Sequence, residues 1–161
     1  MPNKIYYAPE TAITFGDSGQ TVAIALINLA FGAGIVSALY DRGAGSKPLK
    51  HEWRATIQFE TAPAIGEIVE LYLITSDGTR HDGEVTASAA LVSDKRRNLK
   101  RMGSVVVSTT SVATNITESG TCTIPSRYFL LGVWNASAGD NLENTANACK
   151  ITFTPIPDEI Q

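Results

Sequence analysis

The chain has few of the residues from which most active sites are built. Of its 161 residues only two are cysteine and two histidine. Cys122 and Cys149 belong to no CxxC or Cys/His pattern, so a zinc site held by clustered thiolates is excluded. Each shares strand parity with apolar neighbours, Cys122 with Ile124 and Cys149 with Ile151 and Phe153. Both are therefore expected as small buried hydrophobes, with a pairing across a sheet left open. His51 stands beside Glu52, and His81 lies in the polar run 77–84. No Gly-x-Ser-x-Gly elbow accompanies either histidine. Residues 77–84 fit a charged hairpin tip, since Thr79 and His81 occupy positions where a calcium loop needs oxygen ligands. Glycine pairs 32/34 and 43/45 match neither a phosphate loop nor a dinucleotide fingerprint. No cofactor, metal or catalytic residue is expected, and the protein is read as a structural or interaction protein rather than an enzyme.

Charge is also scarce. Charged residues make up 18% of the chain and the formal net charge is -3, against roughly 25% charged in an average soluble domain. An acidic balance argues against general nucleic-acid binding. The exception is local: Lys95, Arg96, Arg97, Lys100 and Arg101 fall within seven positions. They carry no interleaved aromatics for stacking on bases, so a solvated loop or a charged contact between protein subunits is the expectation. The N-terminus lacks the apolar core of a signal peptide. Residues 21–40 carry no charge, yet Gly32, Gly34, Asn28 and Ser37 interrupt them and no Lys/Arg cluster or Trp belt flanks them. They are read as two strands joined at residues 31–34, and no membrane association is expected. Asn115-Ile116-Thr117 and Asn135-Ala136-Ser137 match glycosylation acceptors by chance.

What is abundant is strand pattern. In residues 51–60, Trp53, Ala55, Ile57 and Phe59 alternate strictly with Glu52, Arg54, Thr56, Gln58 and Glu60, the period of a sheet with one wet face. Residues 67–76 place Val69, Leu71 and Leu73 opposite Glu70, Tyr72 and Ile74. Residues 84–98 show no sustained period and are read as a long loop containing a short helix. Strands resume at 99–108, 115–124, 127–135 and 148–154. Residues 127–135 are apolar on both faces, with Phe129, Leu131 and Val133 opposite Tyr128, Leu130 and Trp134. Such a strand is either central or covered by a partner, which makes Tyr128 and Trp134 candidate contact residues beside the basic run. Residues 22–27 and 35–40 read as strands covered on both faces. About eight strands with turn signals every ten or so residues predict an all-β, jelly-roll-like antiparallel β-sandwich. Residues 1–20 are expected to form an extended N-terminal arm, and residues 21–161 a single sandwich domain.

The stretches DKRRNLKRMGSVVV (94–107), RYFLLGVWNAS (127–137) and TPIPDE (154–159) resemble small virion structural proteins of tailed bacteriophages, a similarity of pattern over about residues 50–161. The resemblance implies a jelly-roll-like fold and the role of a head decoration (cement) protein. It brings no catalytic residue. The expected partner is the major capsid protein and the expected location the outer surface of the phage head, after synthesis in the host cytoplasm. In that role residues 1–20 and the 95–101 loop would touch neighbours, and the protein would be a homo-oligomer, such as a trimer at a capsid symmetry axis. A tail or neck component is the neighbouring alternative. From another class comes a carbohydrate- or receptor-binding β-module, with Tyr72, Tyr128 or Trp134 stacking on sugars.

Overall fold

A computed structural model describes residues 10–156. Among these residues are ten strands: β1 (Ile13–Gly16), β2 (Val22–Ala23), β3 (Gly34–Val36), β4 (Tyr40–Asp41), β5 (Lys50–Ile57), β6 (Ile68–Ser76), β7 (Lys100–Val106), β8 (Ile116–Thr123), β9 (Tyr128–Asn135) and β10 (Lys150–Ile156). A 3-10 turn (Asp82–Glu84) and a one-turn helix α1 (Ser93–Arg96) lie between β6 and β7. One sheet runs β2-β1-β10-β5-β8, the other β3-β9-β6-β7 with β4 also against β9. All pairings are antiparallel except the two-residue β1/β2 ladder. With β3 and β4 counted as one broken strand and β2 as an addition to the edge, the eight principal strands run 1-8-3-6 and 2-7-4-5. This is the strand order of a jelly roll.

The alternation in β5 drives this arrangement. Trp53, Ala55 and Ile57 are buried between the sheets, whereas Glu52 and Arg54 are exposed. Ile13, Phe15, Ile151 and Phe153 join them from the same sheet, and Val69, Leu71, Leu73, Phe129, Leu131 and Val133 from the other. At the centre Phe15, Phe129 and Phe153 meet with ring centroids 5.4–5.9 Å apart, and Tyr40 closes edge-on against Phe129 at 5.6 Å. Burying each of these rings contributes roughly 1.5–3 kcal/mol before entropy is charged against it.

On the β7/β8 side one side chain bridges the two strands. Trp53 reaches across from β5, and both Gly120 on β8 and Gly103 on β7 lie against its indole. A Cβ on Gly103 would stand 2.4 Å from Trp53 Cζ2, and one on Gly120 would stand 2.8 Å from the same atom. The slot exists because both residues lack a side chain.

Two expected strands differ from observation. Residues 22–27 are not covered on both faces: Val22, Ile24 and Leu26 are buried, while Ala23, Ala25 and Ile27 are exposed. Only Val22–Ala23 pairs in a ladder. Beyond it the chain hangs on the buried Asp17, whose Oδ1 accepts from the amides of Leu26 (3.0 Å) and Ile27 (3.3 Å). Residues 35–40 break at Ser37. Its hydroxyl accepts from Leu131 N and donates to Ala38 O, replacing ladder bonds and splitting the strand into β3 and β4. Of the N-terminal arm, residues 1–9 lie outside the described residues, while β1 is part of the sheet with Ile13 and Phe15 fully buried.

Candidate interaction surface

Between β6 and β7 the chain makes an excursion, residues 77–99, that folds over the outer face of the β3-β9-β6-β7 sheet. Val85, Leu91 and Leu99 bury against Val36, Tyr72, Ile74, Leu130 and Trp134, forming a second, smaller core. Backbone bonds hold the cover down: Val36 N donates to Ala89 O, Ser88 N to Ser37 O and Leu91 N to Gly34 O. The second apolar face of β9 is therefore both central in its sheet and covered by the chain's own loop. Trp134 retains 9% of its surface and Tyr72 6%, so neither offers a free ring face for stacking on a sugar.

The basic run closes this cover. The Arg96 guanidinium lies 4.2 Å from the Trp134 ring centroid, and its Nη1 lies 3.0 Å from Glu70 Oε2. Arg101 approaches the other Glu70 oxygen at 3.4 Å. Tyr72 donates its hydroxyl to Glu70 Oε2 at 2.7 Å. Burial, then the adjacent Glu70 carboxylate, pushes the Tyr72 phenol up to about 12. Lys95 donates to the Glu84 carbonyl, tying α1 to the 3-10 turn. Arg97 and Lys100 are exposed and have no ion pair among the described residues. Tyr128 sits at the opposite end of β9, roughly 20 Å from Trp134 by strand rise, with Arg127 over its ring at 4.9 Å. Arg96, Arg101 and Trp134 thus meet around Glu70, Lys95 pins the loop, and Tyr128 stands apart.

A buried ion cluster lies where residue 10 meets the sandwich, and it was not anticipated. Glu10 accepts from Arg42 Nε and Nη2, both at 2.8 Å, and contacts His51 Nε2 at 3.1 Å. Arg42 also donates to the carbonyls of Ile124 (2.9 Å) and Pro48. His51 is fully buried. Burial works against the Glu10 carboxylate, but the Arg42 guanidinium and then His51 outweigh it and hold the carboxyl below its ordinary 4.5. Burial dominates at His51 and keeps the imidazole below 6.5, although Glu10 offsets part of the shift. One sequence signal does point here: His51 shares parity with Trp53 and so faces inward. The carboxylate that it meets lies 41 positions away.

The cysteines are free. Cys122 stands across from His51 and Cys149 beside Gln58, at opposite ends of the same region of sheet, so they cannot pair. Burial raises each thiol to about 11. At the 77–84 tip, Asp77 Oδ1 accepts from the amides of Thr79 and Arg80, and His81 Nδ1 contacts Ser76 Oγ at 2.8 Å. Among the described residues no group of three or more His, Cys, Asp and Glu is arranged to hold a metal, and no helix is long and apolar enough to cross a membrane. Asn135 is buried, with its side chain bonded to Leu29 O and Asp140 O.

No protein-family model matches the chain, and no curated protein sequence matches it.

Proposed function

We propose that this protein is a structural component of a virion, a decoration (cement) protein that binds the major capsid shell of a tailed phage and stabilises the head. The observation that carries the reading is the unequal distribution of exposed apolar side chains over the jelly roll. The strand registers place the loops 17–33, 58–67, 107–115 and 136–149 at one end of the sandwich. Of eight large hydrophobic side chains exposed among the described residues, five are at that end: Ile27, Phe31 (52%), Ile65 (71%), Val106 and Val112. Beside them, between β2 and β3, lies a groove of about 370 Å³ lined by Ala23, Ile24, Ile27, Ile35 and Val36. Scattered exposed hydrophobics are ordinary, whereas their concentration at one end supports the reading of that end as a contact surface for another protein.

The fold supports the same reading. Jelly rolls recur in viral capsid and lectin domains, and here residues 77–99 cover the outer face of one sheet, which leaves the loop ends and the polar face of the other sheet open. A shell-bound protein stabilises the assembled state because it binds that state and not the dispersed subunits. Within the basic 95–101 segment Arg96 and Arg101 are engaged with Glu70 and Arg96 with Trp134, so in this reading the loop end is the main docking surface.

The test is addition of purified protein to expanded phage capsids. Saturable binding at a fixed ratio per capsid subunit, with raised resistance of the capsid to heat, is the expected result. Phe31→Asp with Ile65→Asp should abolish binding while the far-UV circular dichroism stays unchanged. Failure to bind capsids in either the compact or the expanded state overturns the reading.

A further inference from the structure

The outer face of the β2-β1-β10-β5-β8 sheet has no cover among the described residues, and its composition differs from the rest of the molecule. The registers set Arg54 between Thr152 and Ser119, and Thr56 between Lys150 and Thr117. Beyond them Gln58 donates to Asn115 Oδ1 at 2.6 Å, and Asn147 accepts from Gln20 at 2.9 Å. These side chains, apart from Ser119 and Gln20, line a polar groove of about 480 Å³. The groove contains two cations, three side-chain amides and three threonine hydroxyls, and no carboxylate. Among the described residues neither Arg54 nor Lys150 makes an ion pair or a side-chain hydrogen bond. They are diagonal neighbours on adjacent strands, roughly 7–8 Å apart.

The carboxylates on the segments flanking the groove are engaged elsewhere or do not line it. Asp17 accepts from the amides of Leu26, Ile27 and Asn147. Glu143 accepts from Asn144 N and Thr145 Oγ1. Glu52 stands two residues along β5 from Arg54, between Thr154 and Thr121. In a chain with net charge -3, two unpaired cations in a carboxylate-free depression form a local positive site.

We infer that this groove binds an acidic saccharide, a sugar chain bearing carboxylate or sulfate groups. Arg54 and Lys150 supply charge-assisted donors for the anionic group. Gln58, Asn115, Asn147 and the hydroxyls of Thr56, Thr117 and Thr152 supply both donors and acceptors, which is what ring hydroxyls require. The groove lies within the 300–1,000 Å³ range of small-ligand sites. It suits one or two sugar rings better than a flat protein partner. Nucleic acid fits poorly, since no aromatic side chain lines the groove to stack on a base. The groove adjoins the apolar loop end, sharing with it the loops that carry Gln58, Asn115 and Asn147, but its lining is polar and the inference does not depend on the decoration role.

The test is an NMR titration of the isotope-labelled protein with a hyaluronan tetrasaccharide, a neutral chitin tetrasaccharide and sodium sulfate at matched ionic strength. Saturable shifts confined to amides of residues 54–58, 115–119 and 147–152 are expected with hyaluronan. The neutral sugar should give none, and sulfate should bind at least about tenfold more weakly, because it lacks the hydroxyls that the amides and threonines engage. Arg54→Ala and Lys150→Ala are each expected to weaken hyaluronan about tenfold or more. Both residues are exposed, so the amide shifts of β6 and β9 should stay in place. No shift with hyaluronan, equal shifts with the neutral sugar, or sulfate matching the tetrasaccharide would each overturn the inference.

Discussion

Replacing Gly103 with alanine tests how the sandwich is closed along β7 and β8. The new methyl carbon would stand 2.4 Å from Trp53 Cζ2 and 2.9 Å from Cη2, against an ordinary carbon–carbon contact of about 3.5–4.0 Å. The indole must move by about 1 Å, and it cannot retreat freely because it also lies against Gly120. Trp53 is 4% exposed, so the displacement strains a packed interior. Overpacking of this kind costs about 2–3 kcal/mol, which for a domain of this size lowers Tm by roughly 5–10 °C. A double-mutant cycle with Trp53→Phe isolates the contact, because phenylalanine lacks the second ring. Trp53→Phe also removes the indole Nε1, a buried donor with no partner, which offsets part of the cavity it leaves. Urea unfolding followed by far-UV circular dichroism is the assay, since fluorescence would change with the tryptophan itself. Gly103→Ala should cost less than about 1 kcal/mol in the Trp53→Phe background. Costs that add to within about 0.5 kcal/mol would refute the slot.

The Glu10, Arg42 and His51 cluster should make the fold acid-sensitive in two stages. Because His51 titrates below its ordinary 6.5 in the folded state, the unfolded chain binds the proton first and stability falls as pH drops below that value. Glu10, held below 4.5, adds stability above that value that is lost as pH falls through its lowered folded value. Glu10→Gln should cost about 3 kcal/mol near neutral pH by leaving Arg42 buried and unpaired; in urea midpoints measured from pH 7 to 4 the fall below 6.5 should steepen, because Glu10 no longer offsets the burial that depresses His51, while the stage below 4.5 disappears. An unchanged pH profile would count against the cluster. Arg96→Ala removes the cation over Trp134 and one partner of Glu70, for about 1–2 kcal/mol, and should increase hydrogen exchange in residues 85–99 before that in β9. Spectrophotometric titration should find one tyrosine ionising near 12, and Glu70→Gln should bring it down. Both thiols should resist iodoacetamide near neutral pH, with Cys122, the half-buried one, reacting before Cys149.

Much of the architecture was legible in the chain. Strict alternation at residues 51–60 predicted β5 and its buried face, and turn signals at regular spacing predicted a two-sheet sandwich. The short helix expected within residues 84–98 is α1. The failures share one cause. Residues 22–27 and 35–40 are apolar without a period, and such runs do not reveal which residues reach an edge of the sheet. There, alanine is exposed at little cost and Asp17 or Ser37 takes over the backbone bonds. The basic run stands out because it is clustered, but clustering does not say which charges fasten the loop to its own sheet, as Arg96 does, and which stay exposed, as Arg97 and Lys100 do. The unpaired cations Arg54 and Lys150 are 96 positions apart in sequence, and neither forms part of a motif.

The sequence by itself determined what depends on neighbours along the chain: strand content, the faces that must be buried, the turns and the double apolar character of β9. Periodicity is local, and a period of two allows little but a strand with one or two buried faces. Only the tertiary structure decided what lies against each face. It placed residues 77–99 over Trp134, brought Glu10 to Arg42 and His51, threaded Trp53 between two glycines and left the threonine face uncovered. Those contacts join residues dozens of positions apart. Their free energies come from burial and pairing across the fold, and no local pattern encodes them.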